Sequence, residues 1–241
     1  MSRTTVTYNG VDLTELCIVS DLRTSLLPRE VQGQEVPGRD GTLFGGVRLA
    51  ERTVTLAMTV HGDTDGERQA AARALAAALA TDAPAPLAIS VDGGRYWMAV
   101  PTSGSDAVRW RHHTSFEVEF LCPDPVAYGE TRTVSVPSGG SVALEVGGTY
   151  PTRPVVSASA ALNDGTAGEW RLTLDGGTYL SADAPTARSV VADCAERTLV
   201  VAGATAMLDP YADWLVLEPG AHTLAMTGTG AASVSYTERW L

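Results

Sequence analysis

The residues with the most obvious chemical potential in this chain are its four histidines, His61, His112, His113 and His222. His112 and His113 are adjacent. On a strand, neighbouring side chains point to opposite faces, so the two rings could share a metal ion only in a loop. A solvated or interface role is the simpler reading, and His61 and His222 read as isolated. No Gly-x-Ser-x-Gly elbow exposes a serine nucleophile. Asp124 stands between Pro123 and Pro125, which makes it a turn residue before a general acid. A carboxylate pair for glycoside hydrolysis is defined by separation in space, so sequence alone cannot select one. Gly228-Thr229-Gly230 joins two strand-like runs, whereas a phosphate cradle needs a strand followed by a helix. Cys17, Cys122 and Cys194 are odd in number and far apart, which fits buried free thiols in a reducing compartment. No catalytic, cofactor-binding or metal-binding residue is expected, and the chain reads as a non-enzyme.

Aromatic side chains offer a second kind of chemistry. Exposed tryptophans at Trp170, Trp214 or Trp240 could stack on sugars. A tryptophan is more often a large core anchor, and the same applies to Trp97 and Trp110.

A third possibility is preorganised contact with a neighbour. In Glu35-Val36-Pro37-Gly38-Arg39-Asp40-Gly41, Pro37-Gly38 suits the centre of a type II turn. Asp40-Gly41 supplies a second reversal. Pro37, Gly38, Asp40 and Gly41 would then hold Arg39 at a stiff loop tip, either solvated or offered to a carboxylate on an adjacent subunit. A second turn-dense stretch runs from Phe120 to Gly129. Its Cys122, Pro123, Asp124, Pro125, Tyr128 and Gly129 read as the junction closing a first domain.

The elements that must carry these loops are mostly strands. Val6 and Tyr8 alternate with polar residues, and Asn9-Gly10 signals a type I′ hairpin into Val11 and Leu13. Val54-Leu56-Met58-Val60 and Phe116-Val118-Phe120 have the period of half-buried strands. Leu87-Ile89-Val91, Asp92-Gly93-Gly94 and Tyr96-Met98-Val100 read as a further hairpin. Glu67 to about Ala80 is helical, with Leu75 and Leu79 on one side and capping-box spacing between Thr64 and Glu67. Asp82-Ala83-Pro84-Ala85-Pro86 should end it. From Thr131 onward short runs recur between glycine turns, among them Trp170-Leu172-Leu174, Trp214-Val216 and Val234-Tyr236. Many short strands and no helical window point to a β-sandwich. The expected division is therefore 1–130, a β-barrel-like domain with one helix, and 131–241, a sandwich.

Composition narrows the partners. The net charge is −11 and every one of the 17 basic residues is arginine. Residues 1–130 hold 11 Arg and 17 acidic groups (−6), and residues 131–241 hold 6 and 11 (−5). No basic stripe exists to bind phosphates, so specific nucleic-acid binding is not expected. No apolar run is long enough to span a membrane. Met1 to Gly10 lacks the apolar core and cleavage site of a secretory signal.

Tyr8-Asn9-Gly10-Val11-Asp12-Leu13, Val36-Pro37-Gly38-Arg39-Asp40-Gly41 and Phe120 to Gly129 together resemble the distal tail proteins of siphophages. Pro151-Thr152-Arg153-Pro154, the Val190–Thr198 stretch and the terminal Tyr236-Thr237-Glu238-Arg239-Trp240-Leu241 are similar to that family's C-terminal domain. The resemblance implies a structural virion protein of the tail tip, made in the bacterial cytoplasm. Its N-terminal domain would be a tail-tube-like split barrel that builds a homo-hexameric ring. Its C-terminal domain would be a galectin-like sandwich on the outside. Such a ring joins the tail tube to the tail-tip hub, can carry receptor-binding or side proteins, and leaves a passage for DNA. The competing readings are a carbohydrate-binding module contacting the host envelope through the sandwich and, last, a tail-associated hydrolase.

Overall fold

A computed structural model describes residues 4–105, 107–160, 169–183, 188–228 and 230–241. Met1-Ser2-Arg3 and Thr229, the middle of the Gly228–Gly230 turn, lie outside the described residues. The chain forms two compact units, residues 1–127 with Leu241, and residues 128–240.

The first unit holds β1 (Val6–Tyr8), β2 (Val11–Asp12), β3 (Ile18–Thr24), β4 (Arg29–Glu35), β5 (Thr42–Leu49), β6 (Arg52–His61), α1 (Asp65–Leu79), β7 (Ala85–Ile89), β8 (Tyr96–Gly104), β9 (Val108–Arg109) and β10 (His113–Cys122). Antiparallel pairing runs β3-β6-β10-β8-β7-β1-β2. The β1–β2 turn has positive φ at both Asn9 (49°) and Gly10 (78°), the type I′ geometry that matches strand twist. In β6, Val54, Leu56, Met58 and Val60 are all fully buried, and the residues between them face outward. Opposite them lie Val118 and Phe120 of β10, and the Tyr8 ring meets Phe120 edge-on at 5.2 Å.

The helix begins where its cap requires. Thr64 Oγ1 accepts from Glu67 N at 3.2 Å, and Glu67 Oε2 accepts from Thr64 N at 3.2 Å. Among its apolar residues only Leu75 is buried, and the helix packs against β6.

Three expectations need correction here. Ala85 and Pro86 belong to β7, so the stop is the shorter Asp82–Pro84 segment. In β8 the buried residues are Trp97 and Ala99, and Tyr96, Met98 and Val100 occupy the other face. Both faces of β8 carry large apolar residues, which makes its alternation ambiguous by pattern. The Arg29–Leu49 segment is a long hairpin, whereas the sequence pattern marks only its tip.

The second unit holds β11 (Ala127–Val136), β12 (Ser141–Val146), β13 (Val155–Ala160), β14 (Glu169–Leu174), β15 (Tyr179–Asp183), β16 (Arg188–Asp193), β17 (Thr198–Val201), β18 (Ala204–Ala206), β19 (Gly220–Thr227) and β20 (Ala232–Trp240). One sheet is ordered β12-β19-β14-β15 and the other β18-β17-β16-β13-β20-β11. Their inner faces share one core, including Trp170, Leu172, Leu180, Leu224 and Met226 from the first sheet and Val156, Val190, Leu199, Val234 and Tyr236 from the second. This is a β-sandwich. Trp214-Val216 is not one of its strands. Leu215 and Leu217 take the inward phase instead, and that stretch pairs only once, Thr152 with Leu217.

The end of β20 requires bare backbone beside it. A Cβ on Gly148, at φ 106°, would sit 2.3 Å from the Arg239 carbonyl oxygen. One on Gly147 would sit 2.5 Å from Glu238 Oε1. Glycine is the residue that permits both the approach and the dihedral.

Candidate functional site

Among the described residues, β4 and β5 pair only with each other, from Arg29↔Leu49 to Glu35↔Thr42. They form an arm in which no residue is buried. At its tip, Arg39 N donates to Val36 O at 3.1 Å, and Gly38 has φ 80°. That is the type II turn centred on Pro37-Gly38. Gly41, at φ 79°, makes the second reversal beside Asp40. Arg39 is exposed at this tip, as are Pro37, Gly38, Asp40 and Gly41.

The arm is amphipathic. Val31 lies across from Val47, and Gly33 lies across from Phe44. Directly paired residues share a face, and so do residues two apart on one strand. Val31, Val47 and Phe44 therefore form one apolar face, with exposures of 65%, 45% and 67%. A bulge between Gln32 and Gly33 takes up Gly45. Without it, Phe44 would pair with Gln34 and turn to the other face. That other face carries the Glu30↔Arg48 pair, with Arg48 Nε donating to Glu30 Oε2 at 2.7 Å, together with Gln32, Gln34 and Leu43.

The junction motif is held by local hydrogen bonds and burial. Cys122 is fully buried at the end of β10, and burial pushes its thiol up to about 12. Asp124 Oδ1 accepts from Val126 N at 3.2 Å, which makes it a turn former. The Pro125 carbonyl accepts from Arg52 Nε at 2.8 Å. In the second unit, Tyr128 and Tyr150 both face the Arg239 guanidinium, at 5.5 and 5.1 Å from its carbon to the ring centres. Gly129 lies against the edge of Trp240.

The histidines are less isolated than their spacing implied. His61 pairs with His113 across β6 and β10, with ring centres 5.7 Å apart, and Trp110 stacks on His113 at 5.8 Å. Among the described residues, no three His, Cys, Asp or Glu side chains gather to hold a metal. His222 Nδ1 faces Asp175 Oδ2 at 2.6 Å, and its Nε2 faces the Glu218 carbonyl at 2.7 Å. Burial alone would lower its pKa, but the Asp175 and Glu218 hydrogen bonds outweigh that and raise it. The bond to His222 in turn lowers Asp175. The three cysteines are buried and form no disulfide among the described residues.

Trp110, expected with Trp97 to be a core anchor, is instead 60% exposed, whereas none of the three candidate sugar-stacking tryptophans of the second unit is exposed. Trp170 is fully buried in the core, and Trp214 and Trp240 are half-buried. No helix among the described residues is long and apolar enough to cross a membrane.

Residues 11–122 match the family model of the phage tail protein RIFT-related domain, and residues 147–240 match that of the siphovirus-type tail component, C-terminal domain. The chain belongs to the siphophage distal tail proteins and is a structural protein of the virion tail. Its fold matches the crystal structure of the SPP1 Dit (gp 19.1) protein, described there as a paradigm of the hub adsorption apparatus in phages infecting Gram-positive bacteria. That match has a TM-score of 0.81 at 22% identity over 100% of both chains. A chain of the phage P2 baseplate in its activated conformation with calcium aligns over 99% of this chain and 98% of its own. Its identity is 9% and its TM-score is 0.46. No curated protein matches the chain significantly. The expected fold class, mainly β with one helix, a split barrel and a galectin-like sandwich, agrees with the SPP1 Dit fold.

Proposed function

We propose that six copies close into a ring between the tail tube and the tail-tip hub. In this reading residues 1–130 build the ring and residues 131–241 form an outer domain available to side or receptor-binding proteins. The ring assembles in the host cytoplasm, and the protein acts by shape and contact without covalent chemistry. The observation that carries the reading is the arm. Its apolar face of Val31, Phe44 and Val47 has no cover among the described residues of its own chain. A second copy seated on that face makes a heterologous contact, and repetition of such a contact closes a ring when the rotation allows. Arg39, held at the tip by Pro37, Gly38, Asp40 and Gly41, suits a carboxylate of the neighbour. The junction residues Cys122, Pro123, Asp124, Pro125, Tyr128 and Gly129 keep the exit from the ring domain stiff.

Six copies carry six times −11, or −66 formal charges. An acidic lumen would repel phosphates and let genomic DNA pass without sticking. A lumen lined by arginine would contradict this part of the proposal.

Arg39→Ala is the test of the ring contact. Sedimentation of the purified protein should show weakened assembly, with monomer stability unchanged. A folded variant that assembles like the parent removes Arg39 from the interface.

A further inference from the structure

Arg52 is the first residue of β6, at the point where the chain returns from the arm. It is 4% exposed, yet among the described residues its guanidinium makes no ion pair. Its hydrogen bonds run instead to two chain segments far apart in sequence. Nη1 donates to the Ser25 carbonyl at 2.6 Å and reaches the Thr24 hydroxyl at 3.5 Å. Nε donates to the Pro125 carbonyl at 2.8 Å. Ser25 to Pro28 is the outgoing leg of the arm, and Ala50-Glu51 is the returning leg. Ala50 N donates to the Pro28 carbonyl at 3.0 Å, which closes the neck one step above Arg52. Pro125 belongs to the segment by which the chain leaves β10. The Trp97 ring centre lies 6.0 Å from the guanidinium carbon.

Burial disfavours the charged guanidinium, and the Asp92 carboxylate, which is not within ion-pair distance, offsets this only in part. A planar fork with donors at fixed angles can hold two carbonyls on different segments at once, and an ammonium cannot reproduce that geometry. We propose that Arg52 is a positioning residue, a clasp that fixes the neck of the arm to the exit segment 123–126 so that the two move as one. The neck would then be stiff where the arm meets its neighbour, and a load on the arm would reach the exit segment through one side chain. The inference rests on the arm being a subunit contact, but the clasp itself belongs to a single protomer.

Hydrogen exchange on the full-length chain tests it. Arg52→Lys keeps the charge and most of the stem and loses the fork. Amides of Ser25, Leu26, Leu27, Ala50 and Glu51 should exchange faster together with Asp124 and Val126. The expected gain is about tenfold to a hundredfold, as for local opening after loss of a charge-assisted hydrogen bond. Amides of α1 and β7 should be unchanged, and sedimentation should show weaker assembly. A change in only one of the two segments, in neither, or uniformly across residues 4–127 overturns the clasp. Joint acceleration with unaltered assembly keeps the clasp and removes the arm from the ring contact. Arg52→Gln, which drops the charge and retains one amide donor, replaces the lysine variant if that one does not fold, with the same joint rise expected. Failure of both to fold overturns the positioning role in favour of a purely structural one.

Discussion

The arm and the sandwich contain the same kinds of apolar residue and treat them in opposite ways. In the sandwich, Trp170, Leu172, Leu180 and Val234 are fully buried against one another. In the arm, Val31, Phe44 and Val47 are close to half exposed or more. A two-stranded hairpin is marginal by itself in water. Each exposed large apolar side chain forgoes about 1.5–3 kcal/mol that burial would supply. The sandwich is thus a domain that completes its own core, and the arm is a surface left uncovered by the described residues. An edge-rich, apolar hairpin left in solvent also invites uncontrolled pairing. Its bulge and its Glu30–Arg48 face restrict which side can be covered.

Substitutions can separate the two behaviours. Trp170→Ala removes the largest fully buried side chain of the sandwich and should cost about 3–5 kcal/mol in urea unfolding. A smaller loss would mean that the cavity collapses. Gly148→Ala forces a Cβ against the Arg239 carbonyl at positive φ, and about 2–3 kcal/mol should be lost in the same measurement. Parent-like stability would show that this approach of backbones is looser than described. Gly38→Val puts a β-branched residue at φ 80° in the tip turn and should cost about 1–2 kcal/mol, read as faster amide exchange confined to the arm. An unaffected arm would refute the type II turn.

The acid–base behaviour of the sandwich supplies a milder probe. Both ring nitrogens of His222 face acceptors, which favours the doubly protonated ring. Its folded pKa is raised, so its contribution is complete below an unfolded value of about 6.5 and is lost as pH rises through the folded value. Asp175, with a lowered pKa, contributes above about 3.9 and loses that contribution as pH falls through its folded value. The melting temperature of the sandwich should therefore decline from about pH 6.5 upward, and His222→Gln should flatten that slope. A variant with the parent's slope would assign the dependence to other groups. The smallest effect on stability is expected from Phe44→Ser, within about 0.5 kcal/mol of the parent because the side chain is exposed. Its effect on assembly should be large, about 2 kcal/mol or more, as for an interface anchor. Equal effects on both would erase the contrast between the arm and the sandwich.

Local chemistry in the sequence accounts for much of this. Asn9-Gly10, the Thr64–Glu67 cap, the Pro37-Gly38 turn and the alternation of β6 are each written in a few neighbouring residues. Other features depend on partners far along the chain. The Ala202-Gly203 turn between β17 and β18 has positive φ at both residues, but alanine gives no signal for that conformation. The phase of β8 was ambiguous because tryptophan and methionine alternate there, and only the core decides between them. The arm is not legible in the sequence because its strands carry glycine, glutamine and charge, and its amphipathic face exists only after the bulge shifts Phe44. Arg52 reads as an ordinary strand-start arginine until Ser25 and Pro125 are brought to it. The pairing of His61 with His113 likewise requires the register of β6 on β10.

Electron microscopy of the purified protein, with native mass measurement on the same sample, addresses the arm's purpose most directly. Closed six-membered annuli that disappear in Phe44→Ser while the protomer stays folded are the expected result. Parent protein that remains a lone protomer at every concentration, or annuli that persist undiminished without Phe44, would contradict the account.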